Sequence, residues 1–310
     1  MAAVQPTSTM LRPTPTDGPC PPNLANRTTA AATPSRFSER IHANVTTSDA
    51  LGANARQAMI DIFRMKDATA VDRYFGKPFI QHDPNLVDGF AGMQSYAAEI
   101  ASSPAADITI FRTLVDGGSV LLHSRYEGLK DAPGPLIAMD LFRFKDGKIV
   151  EHWGGQEPEL SDRNLSGHTQ VDGPTAVEDR EKTEANRAFI QTYRETITVQ
   201  QHYDRIDEFL ADDYTQHAPG FGDGIERVKA RYRLDVKPGT SHVLTPRFYV
   251  ADGNFVLSVV DAKTDPPKAN YDLFRITNAK IAEHWEVLAP IPPRAQWKNS
   301  NDPFEREDRS

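Results

Sequence analysis

A single cysteine, Cys20, stands near the start of a 310-residue chain, so no disulfide can close within the molecule and a thiol nucleophile is not expected. Usage this sparse is compatible with a reducing compartment, and a cytoplasmic location is the expectation. No run approaches the roughly 18 apolar residues of a membrane span, which points to a soluble protein without a membrane partner. Basic runs are missing too. With 35 Lys and Arg against 43 Asp and Glu, the formal net charge is −8, and nothing offers an electrostatic footprint for a phosphate backbone. Nucleic acid is therefore not an expected partner. The sequence also lacks a Gly-x-Gly-x-x-Gly loop, a Walker loop and a Gly-x-Ser-x-Gly elbow, the usual markers of cofactor-driven redox chemistry, phosphoryl transfer and serine hydrolysis. No His-x-His or His-x-x-x-His pair is present, so neither a metal nor an organic cofactor is expected.

What is there is a duplication. Gln81, His82, Pro84, Asp88 and Gly89 return 135 positions later as Gln216, His217, Pro219, Asp223 and Gly224. Asp140, Leu141, Phe142, Arg143, Glu151, His152 and Trp153 return 132 positions later as Asp272, Leu273, Phe274, Arg275, Glu283, His284 and Trp285. That period exceeds the roughly 20 to 50 residues of solenoid repeats and fits a whole domain. The expected layout is a disordered or extended Pro/Ser/Thr-rich head at 1–48, a first domain at 49–160, a linker at 161–179, a second domain at 180–295 and a polar tail at 296–310. Arg12, Arg27, Arg36 and Arg40 give the head a faint transit-peptide character, which its prolines interrupt.

Ala55, Met59, Ile62 and Phe63 recur at helical spacing and predict a helix over about 49–66, matched in the copy by Ala185, Phe189, Tyr193 and Ile197. Short helices near 71–75 and 203–210 lead into strands that deliver the Gln-His pairs, and third helices are expected near 90–101 and 225–234. Four strands then follow in each copy, joined at Asp116-Gly117, Asp146-Gly147, Asp252-Gly253 and, more weakly, Asn278-Ala279. Helices first and a meander last make an α+β fold of two tandem units. Alternation places Ala138, Asp140, Phe142 and Phe144 on one face of a strand and Ile137, Met139, Leu141 and Arg143 on the other. Both faces are largely apolar, so the second must be covered, and sheet-on-sheet packing as an internal pseudo-dimer is expected.

Phe79-Ile80-Gln81-His82-Asp83-Pro84 with Asp88-Gly89, the Val120–Ser124 stretch containing His123, Met139-Asp140-Leu141-Phe142-Arg143, and Lys145 through Trp153 together resemble the SnoaL-like polyketide cyclase family. The resemblance spans about 50–157 closely and about 183–290 more loosely. It implies membership in the nuclear-transport-factor-like superfamily: a curved antiparallel sheet wrapped as a cone around helices, with a small-molecule pocket inside and usually no metal or cofactor. Its members include aldol cyclases, ketosteroid isomerases and dehydratases, but also binding modules without catalysis, so fold leaves function open.

Asp140 is the first candidate for chemistry, because a carboxyl among Phe142 and Phe144 favours its protonated form and suits general acid/base work. The resemblance points to the same residue; the alternative is a purely structural hydrogen-bond acceptor. His82 and His123 are candidates to steady an enolate oxygen, His82 otherwise serving to cap the loop that follows it. Val259 aligns opposite His123, which suggests an active first copy and a degenerate second one, or two pockets of different specificity. Phe142, Trp153, His152 and Tyr126 are candidate substrate contacts, although alternation admits only one of His152 and Trp153 to the pocket, and the bland reading makes the Trp core filler with His at the interdomain face. Asp272, His217, Trp285 and His284 are their second-pocket counterparts. Gly154-Gly155 stands where the family usually has Asp-Val, while the copy keeps Glu286-Val287, which puts in doubt an acid at the strand end of the first pocket. The expectation is a cofactor-independent cyclase, isomerase or lyase acting on a hydrophobic carbonyl compound; the alternative is a silent ligand-binding or dimerisation module.

Overall fold

The computed structural model describes residues 36–235 and 244–306. Helix α1 (Arg36–Phe63) begins ahead of the expected start at 49. No proline or glycine interrupts the chain between Pro34 and Gly52, so the helix runs back into what the composition assigned to the head. The head's first 35 residues, Cys20 included, and the last four of the tail lie outside the described residues.

In the first half, α2 (Ala70–Tyr74) leads into β1 (Phe75–Gln81), α3 (Gly89–Ala101) follows, and β2 (Asp107–Asp116), β3 (Ser119–Glu127), β4 (Leu136–Lys145) and β5 (Lys148–Pro158) form the meander. The second half repeats the plan with α4 (Thr183–Tyr193), a π-helical turn at Arg194–Val199, a 3₁₀ turn at Tyr203–Glu208, β6 (Leu210–Gln216), α5 (Ile225–Asp235), β7 (Leu244–Asp252), β8 (Phe255–Ala262), β9 (Lys268–Thr277) and β10 (Lys280–Pro290). The two sheets have the same order, β1-β5-β4-β3-β2 and β6-β10-β9-β8-β7, and neither closes into a barrel. One expectation needs correction: the sheets are mixed, because β1 runs parallel to β5 and β6 parallel to β10. Each Gln-His strand enters from a helix, and the chain returns beside it only after another helix and three antiparallel strands.

Alternation sorts the two sides of each sheet as the sequence predicts. Ala138, Phe142, Phe144, Val120 and Leu122 join α1 and α3 residues in one core, and Phe274, Ile276 and Val256 join Ile190, Tyr193 and Phe209 in another. Ile137, Met139, Leu141 and Trp153 instead pack against Val259, Tyr271, Leu273 and Trp285 in a third core between the sheets. The two halves therefore meet sheet to sheet. Their hairpin turns dock reciprocally: Asp252 Oδ2 accepts the Val115 N–H at 2.9 Å, and Asp116 Oδ2 accepts the Ala251 N–H at 3.3 Å.

Each half also lends its C-terminal extension to the other. The segment after β5 crosses to the second half, where the Asp172 carbonyl accepts the Trp285 indole N–H at 2.9 Å. The segment after β10 returns to the first half, where the Glu305 carbonyl accepts the Trp153 indole N–H at 2.9 Å and Asn301 Nδ2 donates to the Gln81 carbonyl at 2.8 Å. Among the described residues no helix is long and apolar enough to cross a membrane.

Candidate functional site

The repeated motifs are divided between the two faces of each sheet, and this division decides which of them can meet a ligand. On the inner face of the first half, β4 pairs Phe142 with His152 and Asp140 with Gly154. Asp140 Oδ2 accepts the Tyr126 hydroxyl at 2.8 Å, and its Oδ1 stands 3.1 Å from His152 Nε2. His152 Nδ1 is 2.9 Å from Gln81 Oε1, which also accepts the Asp83 backbone N–H at 2.9 Å. That second donor identifies the amide oxygen as the atom facing the ring, so Nδ1 donates to it. Both ring nitrogens then face acceptors, whereas a neutral imidazole carries one N–H. One further proton has to sit between Nε2 and Oδ1. The Asp-Gly part of the motif holds this loop in place: Asp88 Oδ1 accepts the Gln81 N–H at 2.8 Å, and Gly89 takes φ +80°, a conformation that side chains disfavour.

Asp83 completes the first cavity. Its Oδ1 accepts the Asn85 N–H at 2.8 Å, while its Oδ2 faces Gly154 and would lie 3.4 Å from a Cβ there. Burial pushes its carboxyl above the ordinary range, with the nearby Asp140 adding to the rise and Asn85 and His152 opposing it. The cavity, walled by Met59, Phe63, Met93 and Tyr96, is only about 50 Å³, the room of one or two waters.

The second half repeats the proton-sharing pair in a larger space. His284 Nε2 stands 3.0 Å from Asp272 Oδ1, and Nδ1 stands 3.1 Å from Gln216 Oε1, which accepts the Ala218 N–H at 2.9 Å. In place of a tyrosine, the buried Arg194 guanidinium bonds Asp272 Oδ2, reaching it from the first residue of the π-helical turn. Burial raises the Asp272 carboxyl, but Arg194 and His284 outweigh it and leave the group below its ordinary value. Burial pulls His284 down, against the pull of Asp272. Glu286 is held well above the carboxylate range by burial and by the charge of Asp272. An inner chamber of about 140 Å³ holds Arg194, Asp272, His284 and Glu286. It shares Phe221, Arg231, Tyr232, Asn270 and Glu286 with an outer cavity of about 260 Å³. Asn270 Oδ1 is buried there without a hydrogen-bond partner.

The two halves thus each set a second acid beside the His–Asp pair, but from different places. Asp83 follows Gln81-His82 in the first half where Ala218 follows Gln216-His217 in the second, and Glu286 pairs with Asp272 where Gly154 pairs with Asp140. The doubt raised by Gly154 is answered by Asp83. Comparing the copies at these two positions was the signal that could have found both acids; nothing in the sequence marks Arg194.

Several expected site residues lie elsewhere. His82 does not reach the cavity. Its Nδ1 donates to the Asp302 carbonyl at 2.7 Å, its Nε2 stands 2.8 Å from Glu151 Oε1, and its ring stacks on Trp153 at 4.6 Å between centroids. His217 does the same with Glu283 and Trp285. The expected catalytic role of His82, and the second-pocket role of His217, therefore lose their geometric basis: one residue after an inward Gln, the chain turns the His outward. Trp153 and Trp285 fill the core between the sheets rather than a pocket. His152 and His284, one residue before those tryptophans and so on the opposite face, take the cavity positions, and the reading that put His152 at the interdomain face is also corrected. His123 pairs with Met139 on the outward face, accepts from Arg112 Nη1 at 3.1 Å and is pushed well below its ordinary value by burial and then by Arg112. Its absence at Val259 consequently does not impoverish the second pocket. Asp140 and Phe142 stand on the inner face where alternation placed them, and Tyr126, Asp272 and His284 line the cavities.

Asp272, His284 and Glu286 have ligand atoms within 4.8 Å of one another. Arg194 already places a cation on Asp272, and a metal would have to displace it.

Open α+β sheets carrying an acid-lined inner cavity define the class. Residues 56–152 match the model of the SnoaL-like domain family. No curated protein matches the chain. Similar solved structures include TsrD from Streptomyces laurentii (18% identity, 34% of this chain and 89% of that one, TM-score 0.30). An NTF2-like protein from Mesorhizobium loti aligns at 21% identity over 36% of this chain and 93% of its own, with a TM-score of 0.32. A SnoaL-like polyketide cyclase from Agrobacterium tumefaciens aligns at 14% identity over 33% and 90%, with a TM-score of 0.29.

Proposed function

We propose that this protein is a cofactor-independent acid/base enzyme of the enolisation or aldol type, acting on a hydrophobic carbonyl-containing small molecule in the second cavity. The observation that carries this reading is the His284–Asp272 pair, 3.0 Å apart beside the Glu286 carboxyl that burial and the Asp272 charge raise well above its ordinary value, in a chamber that shares lining residues with a larger one. The pair can take a proton from the carbon next to a carbonyl, while Glu286 donates to the oxygen that gains charge. Arg194 keeps Asp272 anionic and ready to receive. Asn270 and Arg231 supply polar contacts near the mouth, and Tyr232 and Phe221 supply apolar wall. The first cavity, at about 50 Å³, leaves no room for such a substrate, which favours a second reading for that half alone: a partner that covers the outer face of the second sheet. The test is incubation of the protein with a panel of ketones in D₂O, following exchange of the protons next to the carbonyl by NMR. Exchange above the buffer rate supports the assignment; a panel of bound ketones without exchange supports a binding module.

A further inference from the structure

We propose that His168, Asp172 and His217 form a site for one divalent transition-metal ion of the zinc type, which clamps the segment between the halves onto the second half. The three ligand atoms lie within 4.8 Å of one another. Asp172 reaches both rings, with Oδ1 2.6 Å from His217 Nδ1 and Oδ2 3.6 Å from His168 Nδ1. Ligands on a tetrahedral zinc with bonds of 2.0–2.1 Å stand about 3.3 Å apart, so a small rotation of the Asp172 carboxylate equalises the two separations. The Thr169 carbonyl, 3.3 Å from His217 Nδ1, borders the same space.

The far side of each ring makes the case. His168 Nε2 stands 3.1 Å from Asp223 Oδ2, and His217 Nε2 stands 2.9 Å from Glu283 Oε2. Histidine ligands characteristically give their second N–H to a carboxylate, which fixes the tautomer and leaves the other nitrogen bare for the metal. With both Nε2 protons so used, both Nδ1 atoms point lone pairs at the Asp172 carboxylate. At 2.6 Å, His217 Nδ1 and Asp172 Oδ1 need a cation between them: an extra proton, or a metal ion that His168 Nδ1 can also reach. Arg275 is engaged with Glu283, and Arg112 donates to the backbone carbonyls of Val171, Asp172 and Pro174, so neither fills this place. Asp172 and His168 remain 36% and 30% exposed, which leaves a path for the ion and for a water as fourth ligand. The site stands on the outward face and is separate from the cavity chemistry. The first half offers a contrast: there His82 Nδ1 meets a backbone carbonyl, that of Asp302, and its ring stacks on Trp153 without a histidine beside it among the described residues.

The experiment is titration of tag-free, EDTA-dialysed full-length protein with Zn²⁺ by calorimetry, alongside His168→Ala and Asp172→Asn. The expected result is one equivalent bound by the parent protein and at least a tenfold weaker Kd in each variant. His168 is partly exposed, so the His168→Ala variant should keep its metal-free Tm while losing the Zn²⁺-induced rise seen in the parent. Absence of saturable binding in the parent, or equal affinity in both variants, would overturn the site.

Discussion

Gly155 lies on β5 beneath Tyr271 of the opposite sheet, and a Cβ there would stand 2.4 and 2.5 Å from two ring carbons of that tyrosine. Real Cβ atoms do not approach so closely. Tyr271 is 1% exposed and belongs to the core between the sheets with Leu273, Val259 and Trp285. Gly155→Ala must therefore separate the sheets or displace the ring, an overpacking cost of about 1–3 kcal/mol. For a body of this size each kcal/mol lowers Tm by about 2–4 °C, giving a fall of roughly 2–12 °C by calorimetry. Gly154→Ala is the control. Its Cβ would meet the tip of the His152 ring at 3.0 and 3.3 Å and Asp83 Oδ2 at 3.4 Å, which disturbs the first cavity rather than the interface. Combining Gly155→Ala with Tyr271→Val should recover much of the loss, because the two positions couple only if they touch. A Tm for Gly155→Ala within about 1 °C of the parent would refute face-to-face packing of the sheets at this point.

Three further outcomes follow from single features. Ala279 sits at φ +57° in the turn where the first half has Gly147, so Ala279→Gly should stabilise the protein by about 1 kcal/mol in urea denaturation. Arg194→Met leaves the buried Asp272 carboxylate without its cation and should cost about 3–5 kcal/mol, with most of that returned by adding Asp272→Asn. Glu286 has a folded pKa raised above its ordinary 4.5 by burial, so the folded state holds that proton more tightly than the unfolded one. Its penalty is absent below about pH 4.5 and grows as pH rises toward the folded value. Glu286→Gln should accordingly match the parent in stability at low pH and exceed it at neutral pH, measured by Tm against pH.

The duplicated motifs and strand alternation show the doubled α+β plan and the faces of the strands, while the parallel pairing of β1 with β5 and of β6 with β10 is not legible in them. Asp140 and His152 face in; Arg143, Glu151 and Trp153 face out; Asp88 pins the Gln81 N–H. Alternation does not extend past the end of β1, where backbone geometry decides direction, and that is why His82 was misplaced. Repetition also misled in a second way. It drew attention to residues shared by both halves, whereas Asp83, Glu286 and Arg194 differ between the halves and sit at the cavities. The reciprocal crossing of the segments after β5 and β10 follows from contacts 113 to 220 positions apart in no periodic pattern, and composition could mark them only as loop and tail.

Proton transfer at the second cavity can be checked by comparing Asp272→Asn and Glu286→Gln with Asp140→Asn in the same deuterium-exchange assay with a ketone the parent protein turns over. Both second-half variants should lose at least about a hundredfold in exchange rate, in line with removal of a general acid or base, while Asp140→Asn retains the parent rate. Full activity in the second-half variants, or loss confined to Asp140→Asn, would contradict it.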